Sequence, residues 1–136
     1  MLPKDSHIDL FLGWKTSGNW TLPATYDSIL NAKNSMCGDE CNLYIERKEN
    51  QIRILSLGGE SCSICQASMG ILFSNQTLWS KDFFLNQLEI RKNALEDETL
   101  SKRIPVDERR FWELILTYPN RHRCALLPWV ALGKGF

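Results

Sequence analysis

Two alternating runs, set almost end to end, do most to limit what this chain can become. In "CNLYIERK" (41–48) Leu43 and Ile45 fall on one side, and in "QIRILSL" (51–57) Ile52, Ile54 and Leu57 do likewise. A period of two means strands with one buried face, and "KEN" at their junction reads as the turn of a hairpin. Weaker alternation in "ATYDSILN" (24–31) suits a further strand. The glycines at 58–59 end the hairpin and allow torsions that other residues resist. Beyond them the apolar period turns helical and stays so.

"SCSICQASMGILF" (61–73) reads as a helix with Ser61 or Ser63 as N-cap, and Ser63 with Gln66 fits a capping box. "SKDFFLNQLEIRKNALE" (80–96) puts Phe84, Leu88 and Leu95 at helical spacing. "VDERRFWELILTY" (106–118) repeats Phe111, Leu114, Ile115 and Tyr118 before Pro119 stops it. "RHRCALLPWVALGKG" (121–135) is a last helix, in which Pro128 is tolerable only near the first turn. Ahead of the strands, residues 5–13 suit a short helix, and "GWKTSGNWTLP" reads as a loop. Trp112 and Trp129 belong to the core, and "ALEDETLSK" to a solvated face or loop. Strands first and helices after give an α+β fold: a small antiparallel three-stranded sheet packed under a layer of helices. With 136 residues and no internal repeat or linker, 1–136 is expected to be one domain with a core of its own.

A formal net charge of zero, with no long block of either sign, argues against nucleic acid and against an acidic membrane surface. No stretch approaches the roughly 20 apolar residues of a membrane span, and "MLPKDSHIDLFLGW" carries charge inside its apolar part, unlike a signal peptide. The expected compartment is the cytoplasm. Five cysteines are then conspicuous: an odd number cannot all pair, and a reducing compartment disfavours a disulfide framework. Metal binding or reactive thiols gain weight.

Their placement offers three readings. Cys37 and Cys41, then twenty residues, then Cys62 and Cys65, approach the pair-and-pair spacing of a structural zinc ribbon. Cys62 and Cys65 alone could be a redox dithiol at a helix N-terminus. The third reading takes one cysteine from each of three distant segments together with Asp39: Cys37 in a turn entering the hairpin, Cys62 at a helix start, and Cys124 opening the last helix.

The words around those residues favour the third. "CGDE" ahead of a hairpin, "GGESCSICQAS" and the late "RHRCALLPW" resemble the U-type iron–sulfur assembly scaffolds: IscU, SufU and the N-terminal domain of NifU. The likeness runs over about residues 20 to 133, and the 61 residues between Cys62 and Cys124 resemble the longer SufU branch. The chain departs from the pattern at Ser35, where a proline is usual, at Cys65, where a serine is usual, at the extra Cys41, and in a shortened N-terminal segment. The resemblance implies a metal site of Cys37, Asp39, Cys62 and Cys124, holding Zn²⁺ or a transient iron–sulfur cluster. It also implies a scaffold or sulfur carrier, with zinc-dependent sulfurtransferase activity, in which Cys37 accepts sulfur from a cysteine desulfurase of the SufS type. Iron–sulfur acceptor or carrier proteins would follow downstream, and Arg121 matches a position tied to desulfurase docking. His7 and His122 read as surface or partner-contact residues.

Overall fold

The computed structural model describes residues 3–136, with side chains from residue 7 onward. Helix α1 (Pro3–Thr16) precedes strands β1 (Ser28–Asn34), β2 (Asp39–Lys48) and β3 (Gln51–Gly58). Helices α2 (Ser63–Ser74), α3 (Lys81–Ala94), α4 (Arg109–Leu116) and α5 (His122–Gly133) follow. The strands pair antiparallel in the order β1-β2-β3, the α+β arrangement that the alternation predicts.

The sheet has one dry face. Along β2, Asp39, Cys41, Leu43 and Ile45 are buried, and the residues between them are only partly so. Leu30 and Ala32 stand opposite Leu43 and Cys41 on β1, while Leu57 and Ile54 stand opposite Leu43 and Ile45 on β3. Each large side chain buried this way contributes about 1.5–3 kcal/mol. Helix α5 packs on β1 and β2, α2 packs on β3 and α5, and α1 packs on α2. Helix α2 is therefore buried from Ile64 to Leu72 with little relief, as a central helix must be.

The outer edge of β3 is covered. Ile52 exchanges two 2.8 Å backbone hydrogen bonds with Trp79, and the Gln76 amide both accepts from the Ile54 nitrogen and donates to its carbonyl. On the same strand Asn19 donates to the Leu55 carbonyl. A paired edge cannot template aggregation.

Charge is also used inside. Arg91 of α3 reaches Glu108 just before α4 through its Nε at 3.0 Å and its Nη2 at 2.8 and 2.9 Å, with both side chains almost fully enclosed. Glu108 further accepts from Trp112 Nε1 and Asn75 Nδ2, and the guanidinium lies 4.6 Å over the Trp129 ring.

Several boundaries differ from the sequence expectation. Helix α1 runs on through Gly13–Thr16 because Trp14 packs against the core and the Thr16 and Ser17 hydroxyls donate back to the Gly13 carbonyl. Strand β1 begins only at Ser28; Asp27 before it accepts from the Arg47 nitrogen and donates its own N–H to Ile45. The 106–118 segment starts as a 3-10 turn at Val106–Glu108, and Glu98–Arg103, expected as loop or solvated face, is also 3-10. Pro128 lies in the middle of α5 and not in its first turn. Its missing N–H leaves the Cys124 carbonyl without its helical donor, and at the next residue the Ser68 hydroxyl donates to the Ala125 carbonyl at 2.6 Å.

Candidate metal centre

The site is assembled by two tight backbone events. Asn34 and Asp39 form the last pair between β1 and β2, so residues 35–38 must reverse the chain. Gly38 does so at φ +75°, donating its N–H to the Asn34 carbonyl, and leaves Cys37 exposed on the turn. Asp39 then points inward as the first residue of the buried row. The second event is at Gly59, with φ +98°, where a Cβ would sit 2.3 Å from the Glu40 carbonyl oxygen. Only glycine permits that approach. It lets Glu40 donate to the Glu60 carbonyl at 2.8 Å and brings Cys62 beside Asp39.

There the Cys62 nitrogen donates to Asp39 Oδ1 at 2.9 Å. Cys62 itself is the N-cap of α2, its sulfur accepting from the Cys65 nitrogen at 3.5 Å. This replaces the expected Ser61 or Ser63 cap, and the capping box is absent because the Gln66 nitrogen donates to the Cys62 carbonyl. Cys124 enters from the first turn of α5, behind a 3-10 turn at Pro119–Arg121. The exposed Arg121 side chain places Nη1 3.9 Å from the Cys124 sulfur.

Ligand atoms of Cys37, Asp39 and Cys124 all lie within 4.8 Å of one another. Cys62 falls outside that group because its sulfur is turned to the helix cap, yet it still acts on both Asp39 and Cys124. Burial pushes the Asp39 carboxyl up, but the Cys37 thiol, the Cys62 amide and the thiols of Cys62 and Cys124 outweigh it and hold it below its ordinary value. The thiols go the other way. Burial, then the Asp39 carboxylate, push Cys62 up against the Cys65 amide, while burial and the Cys62 thiol push Cys124 up to about 12. Asp39 Oδ2 nevertheless remains buried without a partner that meets hydrogen-bond geometry.

A buried, half-satisfied carboxylate held below its ordinary value, beside Cys62 and Cys124 thiols pushed above theirs, is the pattern expected where a cation displaces protons. Three sulfurs and one oxygen suit zinc, which binds thiolate and carboxylate together without redox activity of its own. The donor set fits the ion.

Cys41 and Cys65, which a zinc ribbon requires, are fully enclosed in the core on β2 and α2. Neither histidine joins the cluster: His122 Nε2 lies 3.1 Å from the Ile115 carbonyl, and His7 lies against Tyr118. Trp112 and Trp129 are buried as expected. What sequence reading missed is the role of Gly59 and Glu60 in carrying Cys62 to Asp39; the doubled glycine was the available signal.

No family model matches the chain. The zinc-dependent sulfurtransferase SufU of Bacillus subtilis (strain 168) is 26% identical over 109 residues, covering 79% of this chain and 73% of that protein. The iron–sulfur cluster assembly scaffold protein IscU of Thermotoga maritima is 27% identical over 111 residues, covering 78% and 74%. The chain is similar to the U-type iron–sulfur assembly scaffolds. The U-type fold is seen again in a SufU scaffold from Fervidobacterium islandicum AW-1, with a TM-score of 0.75 at 23% identity and 93% of each chain covered. A NifU-like N-terminal domain from Brucella abortus gives 0.73 at 17% identity, covering 92% of this chain and 88% of that one.

Proposed function

We propose that this protein is a zinc-binding sulfur acceptor of the SufU branch that serves iron–sulfur cluster assembly. The observation carrying the reading is the unpartnered Asp39 Oδ2 set among the thiols of Cys37 and Cys124, with Cys62 alongside. Cys37, Asp39, Cys62 and Cys124 would hold the ion. Bound zinc would keep these sulfurs as thiolates and shield them from oxidation. The B. subtilis relative, named a zinc-dependent sulfurtransferase, supports the same choice of metal.

Cys37 is the acceptor. It stands exposed in a turn where nothing lies within 4 Å of a Cβ built at Gly38, whereas Cys62 caps a helix and Cys124 is buried in one. Its thiolate attacks the outer sulfur of a persulfide on a cysteine desulfurase of the SufS type. The S–S bond there breaks, a new one forms at Cys37, and the desulfurase cysteine leaves as thiolate. Arg121, exposed beside Cys124, is the docking contact. The cargo, as sulfur or as a transient cluster, passes to iron–sulfur acceptor or carrier proteins. Among the described residues no helix is long and apolar enough to cross a membrane, and a chain working with free thiols suits the cytoplasm.

The test is metal analysis of the purified protein, followed by alanine production from cysteine with a SufS-type desulfurase. Zinc near one per chain, stimulated alanine output and a persulfide mapped to Cys37 are expected. Zinc without stimulation or persulfide would leave a structural zinc protein.

A further inference from the structure

The two edges of the sheet are treated differently. The outer edge of β3 is covered by Trp79, Gln76 and Asn19, whereas the cover over β1 stops short. Glu40 of β2 gives its N–H to the Glu60 carbonyl, on the side away from β1. Its partner across the ladder, Lys33, therefore presents its own N–H and C=O outward, as does Asn31 two residues before. At Asn31 the edge is closed, because Lys134 Nζ donates to that carbonyl at 2.6 Å. Among the described residues nothing closes it at Lys33.

Beside that open end lies a groove of about 390 Å³ between the β1–β2 turn and α5. Its walls include Lys33, Met36, Arg123, Leu126, Leu127 and Val130. Met36 is 80% exposed and Val130 52%, two apolar side chains that their own chain leaves in water. The charged residues of the wall, Lys33 and Arg123, are both cations; Glu40 approaches Lys33 only to 3.7 Å, with both side chains well exposed. Cys37 follows Met36 directly, so anything seated in the groove adjoins the acceptor turn.

We propose that this groove is a strand-addition site for the sulfur-donating desulfurase. The idea rests on the sulfur-acceptor reading above. The occupant is a short extended segment of that partner, apolar at alternate positions and carrying carboxylates. Its backbone pairs with the outward N–H and C=O of Lys33, and its inward side chains lie on Met36, Leu126 and Val130. Its carboxylates face Lys33 and Arg123, which speeds encounter and fixes orientation. A protein that brings a persulfide to Cys37 must cover this turn, so the groove continues the reacting surface. A second copy of the chain suits it less, since two-fold pairing would set the same cations against each other.

The full-length zinc protein is titrated into a SufS-type desulfurase, and alanine formation is followed against its concentration. Val130→Glu should raise the half-saturating concentration about tenfold and keep the plateau rate. Arg123→Glu should raise it several-fold and flatten its dependence on salt. Lys33→Pro, which deletes the outward N–H, should raise it at least about threefold beyond Lys33→Gln, which deletes only the charge. Labelled polysulfide needs no docking, so it should load persulfide onto these variants as onto wild type. Zinc content and far-ultraviolet circular dichroism check each fold, and Val130→Glu, exposed and remote from the ligands in sequence, decides if another variant loses zinc. Wild-type half-saturation in Val130→Glu, or equal values for Lys33→Pro and Lys33→Gln, overturns the groove and leaves the sulfur-acceptor reading standing. A wild-type protein that loads from polysulfide yet never stimulates the desulfurase sinks the desulfurase reading, and the groove's occupant with it.

Discussion

Replacing Glu108 with glutamine keeps its shape and removes its charge, leaving the Arg91 guanidinium enclosed without a counter-ion. In the native protein that carboxylate receives three close contacts from Arg91, one from Trp112 and one from Asn75, with about 1% of its side chain exposed. Breaking one partner of a buried pair costs about 3–5 kcal/mol, because the remaining charge keeps its desolvation penalty and loses its compensation. Against a total stability of about 5–15 kcal/mol, that is a large share. At a urea slope of about 1.5 kcal/mol/M, the unfolding midpoint should fall by about 2–3 M. Buried Trp112 and Trp129 supply the fluorescence signal. A second variant, Arg91→Met with Glu108→Gln, removes the stranded charge and should lose less than the sum of the two single changes, with a coupling of about 2 kcal/mol or more. A single-variant loss under about 1 kcal/mol, or strictly additive losses, would show that water already solvates the pair.

Other outcomes are expected at and around the site. Cys124→Ser should lose zinc while Cys41→Ser with Cys65→Ser keeps it, as read by metal analysis; the reverse would favour the ribbon ligands. Asp39→Ala should weaken zinc binding in a competition titration with a chelator and leave the fold intact, since the change opens a coordination position rather than a core cavity. Gly59→Ala should both destabilise the fold and lower zinc affinity, because its Cβ would meet the Glu40 carbonyl at 2.3 Å in a backbone region that side chains avoid; wild-type zinc binding would exclude Gly59 from site assembly. Cys124, raised from 9.0 to about 12, enters metal binding as a thiol that must release its proton. Zinc affinity should therefore climb about tenfold per pH unit for each such proton across the neutral range. In the metal-free protein the sign is opposite: stability is held while Cys124 stays protonated and declines as pH rises above 9.0 toward about 12.

The sheet was legible because its strands carry alternation that no helix tolerates; the four proposed ligands came from the family resemblance, and of these Cys37, Asp39 and Cys124 lie within 4.8 Å of one another. Other features were not legible. Arg91 and Glu108 look like ordinary solvated charges in "EIRK" and "VDER", and only the packing of α3 against the start of α4 makes them partners. The cap of α2 was assigned to serine on frequency grounds, whereas the backbone hands that place to Cys62. Pro128 breaks a local rule in mid-helix, and residues 98–108 fold as short 3-10 turns whose contacts lie with α3 and α4 rather than in their own sequence.

The inward row of β2 begins with Asp39 and continues through Cys41, Leu43 and Ile45. A carboxylate and three core side chains thus share one pleat, and a slip of a single residue would turn all four toward solvent together. The donor group and the hydrophobic layer cannot be set in different registers. A nascent copy that pairs its hairpin wrongly has no pocket to fill, however many thiols it carries. On the proposed ligand set, holding zinc would therefore be a form of proofreading: a loaded molecule would already have aligned its sheet.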